Sequence, residues 1–98
     1  MPDIHFVYLG TSFLWDSNKN SRNLRDHGIS FEHAVQAFFD PFARVVDGSR
    51  NDQARDKVIG YLDDSRLFAV VHLELDGDAY RIISAWPASP AERELYDS

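Results

Sequence analysis

The N-terminal third of the chain predicts two short extended segments followed by a polar helix. Residues 4–9 and 13–15 are rich in aromatic and aliphatic side chains that favour strands. Asp16 is a suitable N-cap for a helix over residues 17–27, and Gly28 is a suitable C-terminal stop. Because this helix carries little apolar surface of its own, we expect contacts with the rest of the fold to hold it in place.

A second helix is predicted directly afterwards from the spacing of its apolar residues. Ser30 can cap its N-terminus, and Asp40-Pro41 ends it because a residue before proline avoids helical backbone angles. Apolar side chains recur at i, i+3, i+4, i+7 and i+8, namely at Phe31, Ala34, Val35, Phe38 and Phe39. We expect this aromatic stripe to face the core.

The rest of the chain predicts strands and one more helix. Residues 43–47 read as a strand, and longer apolar strands follow at 55–62, 67–74 and 79–86. Ser89-Pro90-Ala91-Glu92 has the form of a capping box with proline at the first helical position, which predicts a short closing helix. The predicted fold class is therefore α+β: a compact, mostly antiparallel meander with two N-terminal helices and a short C-terminal helix.

The predicted turns decide which strand residues face each other. A tight turn at Asp76-Gly77 sets His72 opposite Arg81, and a four-residue loop at 63–66 sets Lys57 beside His72. These three residues would form one row on the open face of the sheet. The other face, packed against the helices, would carry Val58, Leu62, Leu67, Val71, Leu73, Tyr80, Ile82 and Trp86.

A histidine flanked by lysine and arginine has the parts that metal-free RNA cleavage requires. That reaction needs a base for the 2′-hydroxyl, an acid for the leaving oxygen and cations for the phosphorane. The alternative is structural: Lys57 and Arg81 would decorate a solvated strand face while His72 fills a half-buried slot. A slip of one residue in either turn would separate the row.

Composition and charge narrow the class of protein. With 98 residues, 44% of them hydrophobic, we expect one folded domain over residues 1–98. There is no cysteine, so disulfides and thiolate metal sites are excluded, and we predict no metal and no cofactor. Neither a signal peptide nor a membrane-spanning segment is recognisable, which leads us to expect a cytoplasmic protein. The net charge of −6 argues against direct DNA binding but allows a local basic face or a basic protein partner.

The chain also resembles the BrnT family of type II toxins, in motifs spread from about residue 13 to its end. The N-terminal signature is carried by Phe13-Leu14-Trp15-Asp16, Lys19, Asn23, His27-Gly28-Ile29-Ser30-Phe31-Glu32, Ala34 and Phe39-Asp40-Pro41. The remainder is carried by Arg55, Ile59-Gly60, His72, Arg81-Ile82-Ile83-Ser84-Ala85, Ala88, Glu92-Arg93 and Tyr96.

This resemblance implies a RelE-like fold, ribonuclease activity against mRNA, and neutralisation by a cognate BrnA-like antitoxin that carries the DNA-binding function. A homodimer is also compatible with it. Three pairs of residues depart from the family pattern. Trp86-Pro87 and Pro90-Ala91 stand where the family usually has basic pairs, and Gln53-Ala54 stands where it usually has an acidic pair. The loss of four cations weakens the expected electrostatic attraction for RNA.

Family pattern and predicted position together give the candidate site. The candidate catalytic residues are Arg55, Arg81, His72, His27, Arg93 and Tyr96, and the candidate RNA-binding residues are Lys19, Lys57 and Arg22. His27 could instead cap the last carbonyls of the first helix, and Lys19 and Arg22 could form an ordinary solvated helix face.

Two functional hypotheses follow from these residues. The first is a metal-independent endoribonuclease that inhibits growth. The second is a catalytically weakened module that still binds an antitoxin and acts in autoregulation. An unrelated small-molecule enzyme is disfavoured because the sequence has no nucleotide-binding or metal-binding motif.

Overall fold

The computed structural model describes residues 3–98 and begins with a β-hairpin. Strands β1 (Asp3–Tyr8) and β2 (Thr11–Asp16) pair antiparallel. Their tight turn is formed by Leu9 and Gly10, which both have positive φ, at 50° and 83°. Such turns match the right-handed twist of the strands they connect. The two predicted extended segments are therefore confirmed, and the structure shows that they pair as one hairpin.

Helix α1 (Ser17–His27) has the predicted bounds because both of its ends are capped locally. The Asp16 carboxylate accepts hydrogen bonds from the backbone N–H groups of Asn18 and Lys19. Gly28 adopts φ 74°, and its N–H donates to the carbonyl of Leu24. These caps satisfy backbone groups that the helix itself leaves unpaired.

The second predicted helix is only partly α-helical. Helix α2 (Phe31–Ala34) is one turn long and continues as a 3-10 helix (Val35–Phe39). The 3-10 segment packs so closely on the sheet that a Cβ added at Gly60 would lie 2.3 Å from the Ala37 carbonyl oxygen. We attribute the change of helix type to this packing, which local spacing of apolar residues does not reveal.

The remaining elements complete a six-stranded mixed sheet. They are β3 (Arg44–Asp47), β4 (Asp56–Tyr61), β5 (Leu67–Leu75), β6 (Ala79–Pro87) and α3 (Pro90–Asp97). The strand order is β1-β2-β6-β5-β4-β3, and among the strands of residues 3–98 only the pair β2 with β6 is parallel. The predicted meander thus accounts for β3 to β6 but not for the whole sheet, because the N-terminal hairpin adds to it beside the last strand.

The predicted register of the meander is wrong by one residue on both sides of β5. Lys57 pairs with Val71, and Arg81 pairs with Leu73, where the sequence predicts His72 in both cases. Since side chains alternate along a strand, a shift of one residue turns His72 to the opposite face. The row of Lys57, His72 and Arg81 does not form.

The lengths of two turns cause this shift. Leu75 pairs with Ala79, which leaves Asp76, Gly77 and Asp78 in the turn rather than two residues. Tyr61 pairs with Leu67, which leaves residues 62–66 in the loop before β5 rather than the predicted 63–66. Gly77 and Asp78 both have positive φ, at 77° and 61°. Between Val71 and His72 the register shifts again. Three-residue turns and bulges of this kind are common in hairpins but leave little trace in the hydrophobic pattern.

The two faces of the sheet pack against different helices. The face toward α2 and the 3-10 helix forms the main core, with Phe13, Trp15, Val58, Phe68, Val70, Ile82 and Ala85. The other face carries Lys57 and Trp86, both bonded to Glu92 of α3, and the buried residues Ile59 and Ala69. The predicted packing face therefore mixes residues from both sides of the sheet. Within residues 3–98 no helix is long and apolar enough to cross a membrane.

Candidate functional site

His72 lies in the core rather than on an open face. Its side chain is 3% exposed, and its ring packs edge-on against Phe38 and Tyr80, with centroids 4.7 and 5.5 Å away. Burial lowers its pKa, outweighing the hydrogen bond to the Val70 carbonyl at 3.1 Å. His72 is thus held as a neutral core residue, without the access to solvent that proton transfer to RNA would need.

Lys57 is bonded to a buried carboxylate. Its Nζ lies 2.8 Å from Oε2 of Glu92, which is 6% exposed. Glu92 also accepts hydrogen bonds from Trp86 Nε1 and the Ser89 backbone N–H. Burial alone would raise the pKa of Glu92, but these hydrogen bonds outweigh it and lower that pKa. Lys57 therefore holds α3 on the sheet, and its charge is compensated.

Arg81 and Arg55 lie on the same face of the sheet but have different bonding partners. Arg81 forms a two-pronged ion pair with Asp3, at 2.7 and 3.3 Å, and this bond raises the arginine's pKa. Arg55 precedes β4, contacts Gln53 at 2.5 Å, and lines a shallow cleft together with Leu73. Arg81 pairs with Leu73 on the neighbouring strand, and Leu73 lies between Arg81 and Arg55. The backbones of the two arginines are therefore two strand spacings, about 10 Å, apart.

The surroundings of both arginines are acidic. The Asp3 carboxylate binds the guanidinium of Arg81. The cleft beside Arg55 is lined by three carboxylates, those of Asp47, Asp56 and Glu74. A phosphate approaching either guanidinium would meet carboxylates as well. Arg81 does not line the cleft beside Arg55, and its guanidinium is bonded to Asp3 instead.

Tyr96 and Arg93 of α3 both contact Tyr61, but within residues 3–98 only Tyr96 also forms a short hydrogen bond to a carboxylate. The Tyr96 hydroxyl donates to Asp40 Oδ2 at 2.7 Å, and burial followed by this bond raises the pKa of Tyr96 to about 12. Tyr96 thus anchors α3 to the end of the 3-10 helix. Arg93 makes one long hydrogen bond, from Nη1 to the Tyr61 hydroxyl at 3.4 Å.

Three of the predicted residues come together on α1. Lys19, Arg22 and His27 line one cleft of about 280 Å³ between this helix and β6. Asn23, 5% exposed, holds the helix there by accepting from the Ala85 N–H at 3.0 Å. We call this space the first cleft. Its lining is completed by Asn23, Asp26, Ile83 and Ser84.

A second cleft of about 420 Å³ begins on the other side of His27. It contains Arg93, a predicted residue, and Arg66, which sequence reasoning missed. We call it the second cleft; its lining is His27, Gly28, Ser65, Arg66, Leu67, Phe68, Pro87, Ala88 and Arg93. Arg66 follows a turn far from the other cations in sequence, and no local pattern sets it apart.

His27 therefore stands between two basic clefts of an acidic protein. Within residues 3–98, Lys19, Arg22 and Arg93 make no ion pair with a carboxylate. The Gly28 N–H caps α1, and no hydrogen bond from the His27 ring to the helix is found there, so its predicted capping role is not observed in that part of the chain. The ring of Trp86 lies beside that of His27, with centroids 6.4 Å apart.

Two of the residues that depart from the expected family pattern lie near His27. Trp86 stands beside His27, and Pro87 lines the second cleft. Pro90 opens α3 at a position where its missing N–H costs no helical hydrogen bond. The residues that replace basic pairs therefore have structural roles of their own.

Comparison with known proteins agrees with the α+β fold and with the motifs. Residues 15–92 match the sequence profile of the family described as ribonuclease toxin, BrnT, of type II toxin-antitoxin system. The crystal structure of the Brucella abortus ribonuclease toxin BrnT is similar to this fold, with 27% sequence identity and a TM-score of 0.59. The match covers 76% of this chain and 92% of that one. A search of curated proteins found no significant match.

The fold and these matches define the class, a small α+β toxin of a toxin–antitoxin system. The chain belongs to the BrnT family of ribonuclease toxins. Its family resemblance is thereby confirmed. Strand β1 and most of β2 precede the matched residues, so the hairpin that supplies Asp3 to Arg81 lies largely outside the family match.

Proposed function

We propose that this protein is an endoribonuclease that cleaves single-stranded mRNA with His27 at the reacting phosphate, and that it inhibits growth by doing so. The observation that carries the proposal is the position of His27 between two clefts lined by Lys19, Arg22 and Arg93. These cations have no carboxylate partner in residues 3–98. Membership of a ribonuclease toxin family supports the same conclusion.

The clefts offer a path for an extended RNA strand. Lys19 and Arg22 in the first cleft would contact phosphates, since phosphate binding gains from counterion release even when the total protein charge is negative. The next nucleotide would then enter the second cleft. His27 would stand between them, where the scissile phosphate passes.

The chemistry needs no metal. His27 would accept the proton of the 2′-hydroxyl as that oxygen attacks phosphorus, and Lys19 and Arg22 would stabilise the added negative charge of the phosphorane. The bond from phosphorus to the 5′-oxygen then breaks, and the leaving oxygen takes the proton back from the imidazolium. The products are a 2′,3′-cyclic phosphate and a free 5′-hydroxyl, with no net gain or loss of protons.

Replacing His27 tests this proposal. Purified His27→Ala should cleave single-stranded RNA at least about 100-fold more slowly than the wild-type protein, the usual contribution of a general acid–base group. His5→Ala is the matched control, because His5 is an exposed histidine on β1 that lines neither cleft. Unchanged cleavage by His27→Ala, or products without a cyclic phosphate, would refute the mechanism.

The proposed partner is a cognate BrnA-like antitoxin, and the toxin would contact DNA only through that antitoxin. The toxin would act in the cytoplasm, where mRNA is translated. The alternative function is a weakened toxin fold that binds the antitoxin and acts in autoregulation. It is favoured by one observation: Lys57 and Arg81, two predicted cations, are both compensated by carboxylates. Expression with and without the neighbouring gene separates the two, since only an active nuclease arrests growth and degrades RNA when alone.

A further inference from the structure

The side chains that line the second cleft are mostly hydrogen-bond donors. Within residues 3–98, none of the side chains that line this cleft is a carboxylate or a carboxamide. Its polar side chains are those of His27, Ser65, Arg66 and Arg93, and its apolar lining residues are Leu67, Phe68, Pro87 and Ala88. A volume of about 420 Å³ with a partly apolar lining suits a nucleobase better than a bare phosphate.

Arg66 is fixed in this cleft. Its Nε and Nη2 lie 2.9 and 2.8 Å from Asp64 Oδ2, and its guanidinium carbon lies 5.2 Å from the centre of the Phe68 ring. One face of the guanidinium plane is thus covered by Phe68. Nη2 also lies 3.4 Å from His33 Nδ1, and the Arg66 side chain remains 48% exposed. A planar ligand can therefore reach the guanidinium from the solvent side, and arginine planes stack on nucleobases as they do on aromatic rings.

Arg93 is held much less firmly. In the described part of the chain, the one hydrogen bond of its side chain is the 3.4 Å contact with the Tyr61 hydroxyl, and the residue is exposed. The rest of its guanidinium fork can therefore turn toward a ligand. Two parallel donors of this kind match two adjacent acceptors.

We propose that the second cleft is a guanine-binding subsite, in which the base stacks on Arg66 and presents its N7 and O6 to Arg93. Guanine carries two acceptors on this edge, whereas adenine places its N6 donor there and would face another donor. Cytosine presents a donor and uracil a single acceptor. The inference rests on the proposed function, because the shared residue His27 puts this base next to the cleaved phosphate.

Binding of uncleavable RNA tests the subsite independently of cleavage. Short fluorescein-labelled 2′-O-methyl oligouridines, each with one central guanine, adenine, inosine or 7-deazaguanine, are titrated with the protein and followed by fluorescence anisotropy. We expect guanine and inosine to bind about tenfold more tightly than adenine, the discrimination typical of a bidentate arginine. 7-Deazaguanine should fall between them because it lacks N7.

Arg93→Lys keeps the charge but loses the fork, so it should remove the preference for guanine. Arg50→Lys is the matched control, since Arg50 is exposed in the loop between β3 and β4 and lines neither cleft. If Arg93→Lys does not fold, as judged by circular dichroism, Arg66→Lys serves as the second variant. A preference that survives the replacement of Arg93 and of Arg66 overturns the inference.

The outcomes for the subsite and for catalysis are distinct. Equal binding of all bases by a wild-type protein that cleaves RNA refutes the guanine subsite alone. Selective binding of guanine by a protein that cleaves no RNA supports the subsite and refutes the nuclease. Absence of any binding refutes both.

Discussion

Trp86 on β6 donates a hydrogen bond from its indole Nε1 to Glu92 on α3, at 3.0 Å. The same carboxylate accepts from Lys57 on β4, at 2.8 Å, and from the Ser89 N–H in the capping box of α3. One buried carboxylate thus ties the last helix to two strands. Trp86 stands where the family resemblance leads us to expect a basic residue, and this bond integrates it into the packing of α3.

We predict that Glu92→Gln destabilises the protein by about 1–3 kcal/mol, because it leaves the half-buried Lys57 without a counter-charge and disrupts the bonds to Trp86 and Ser89. Urea denaturation followed by tryptophan fluorescence measures the change in the free energy of unfolding. Glu94→Gln on the exposed side of the same helix is the control and should have little effect. Equal stability of the two variants would show that the network contributes nothing.

The same network predicts acid sensitivity. The pKa of Glu92 is held below its ordinary 4.5 in the folded state, and that of Asp40 below 3.8. In both cases burial opposes ionisation but the hydrogen bonds outweigh it. Their stabilisation is therefore complete above those ordinary values and is lost as the pH falls through the lower folded-state values.

Denaturation midpoints at neutral pH and at about pH 3 test this sign. The wild-type protein should lose more stability on acidification than Glu92→Gln, which has no carboxyl group to protonate at this position. A variant that loses as much as the wild type would place the acid sensitivity elsewhere in the molecule.

Lys19 and Arg22 should each contribute to the salt dependence of RNA binding. For single strands, each phosphate contact adds about 0.7 to the slope of log K against log salt, so Lys19→Ala and Arg22→Ala should each reduce the slope by about that amount. Arg25→Ala is the control on the same helix, because Arg25 is paired with Asp26 at 3.0 Å. The first cleft would not be the phosphate contact if Arg25→Ala lowered the slope as much as the other two.

Gly60 should tolerate no side chain. A Cβ there would lie 2.3 Å from the Ala37 carbonyl oxygen and 3.1 Å from its carbon, both in the backbone, so we expect Gly60→Ala to cost more than about 3 kcal/mol or to prevent folding. Gly28→Ala is an informative comparison. It meets no atom within 4 Å but has φ 74°, and should cost only about 1–2 kcal/mol. Thermal melts rank the two, and the reverse order would contradict the close packing of the 3-10 helix.

The sequence alone determined the elements whose signals are local. The bounds of α1 follow from Asp16 and Gly28, and the start of α3 follows from the capping box of Ser89 and Glu92. In each case the residues that define the end of the helix also supply its hydrogen bonds. Motifs such as His27-Gly28 likewise indicated the family without reference to the fold.

The tertiary structure alone decided how these elements meet. Three residues rather than two in the turn before Ala79, and five rather than four in the loop before Leu67, set the register of β5, and the His72 side chain lies in the core. Side-chain direction along a strand reverses with every residue, so a small error in the turn changes which face carries the chemistry. Likewise, Arg66 and His27 line one cleft only because the fold brings the end of α1 and the start of β5 to the same region, a proximity of distant segments that local pattern does not encode.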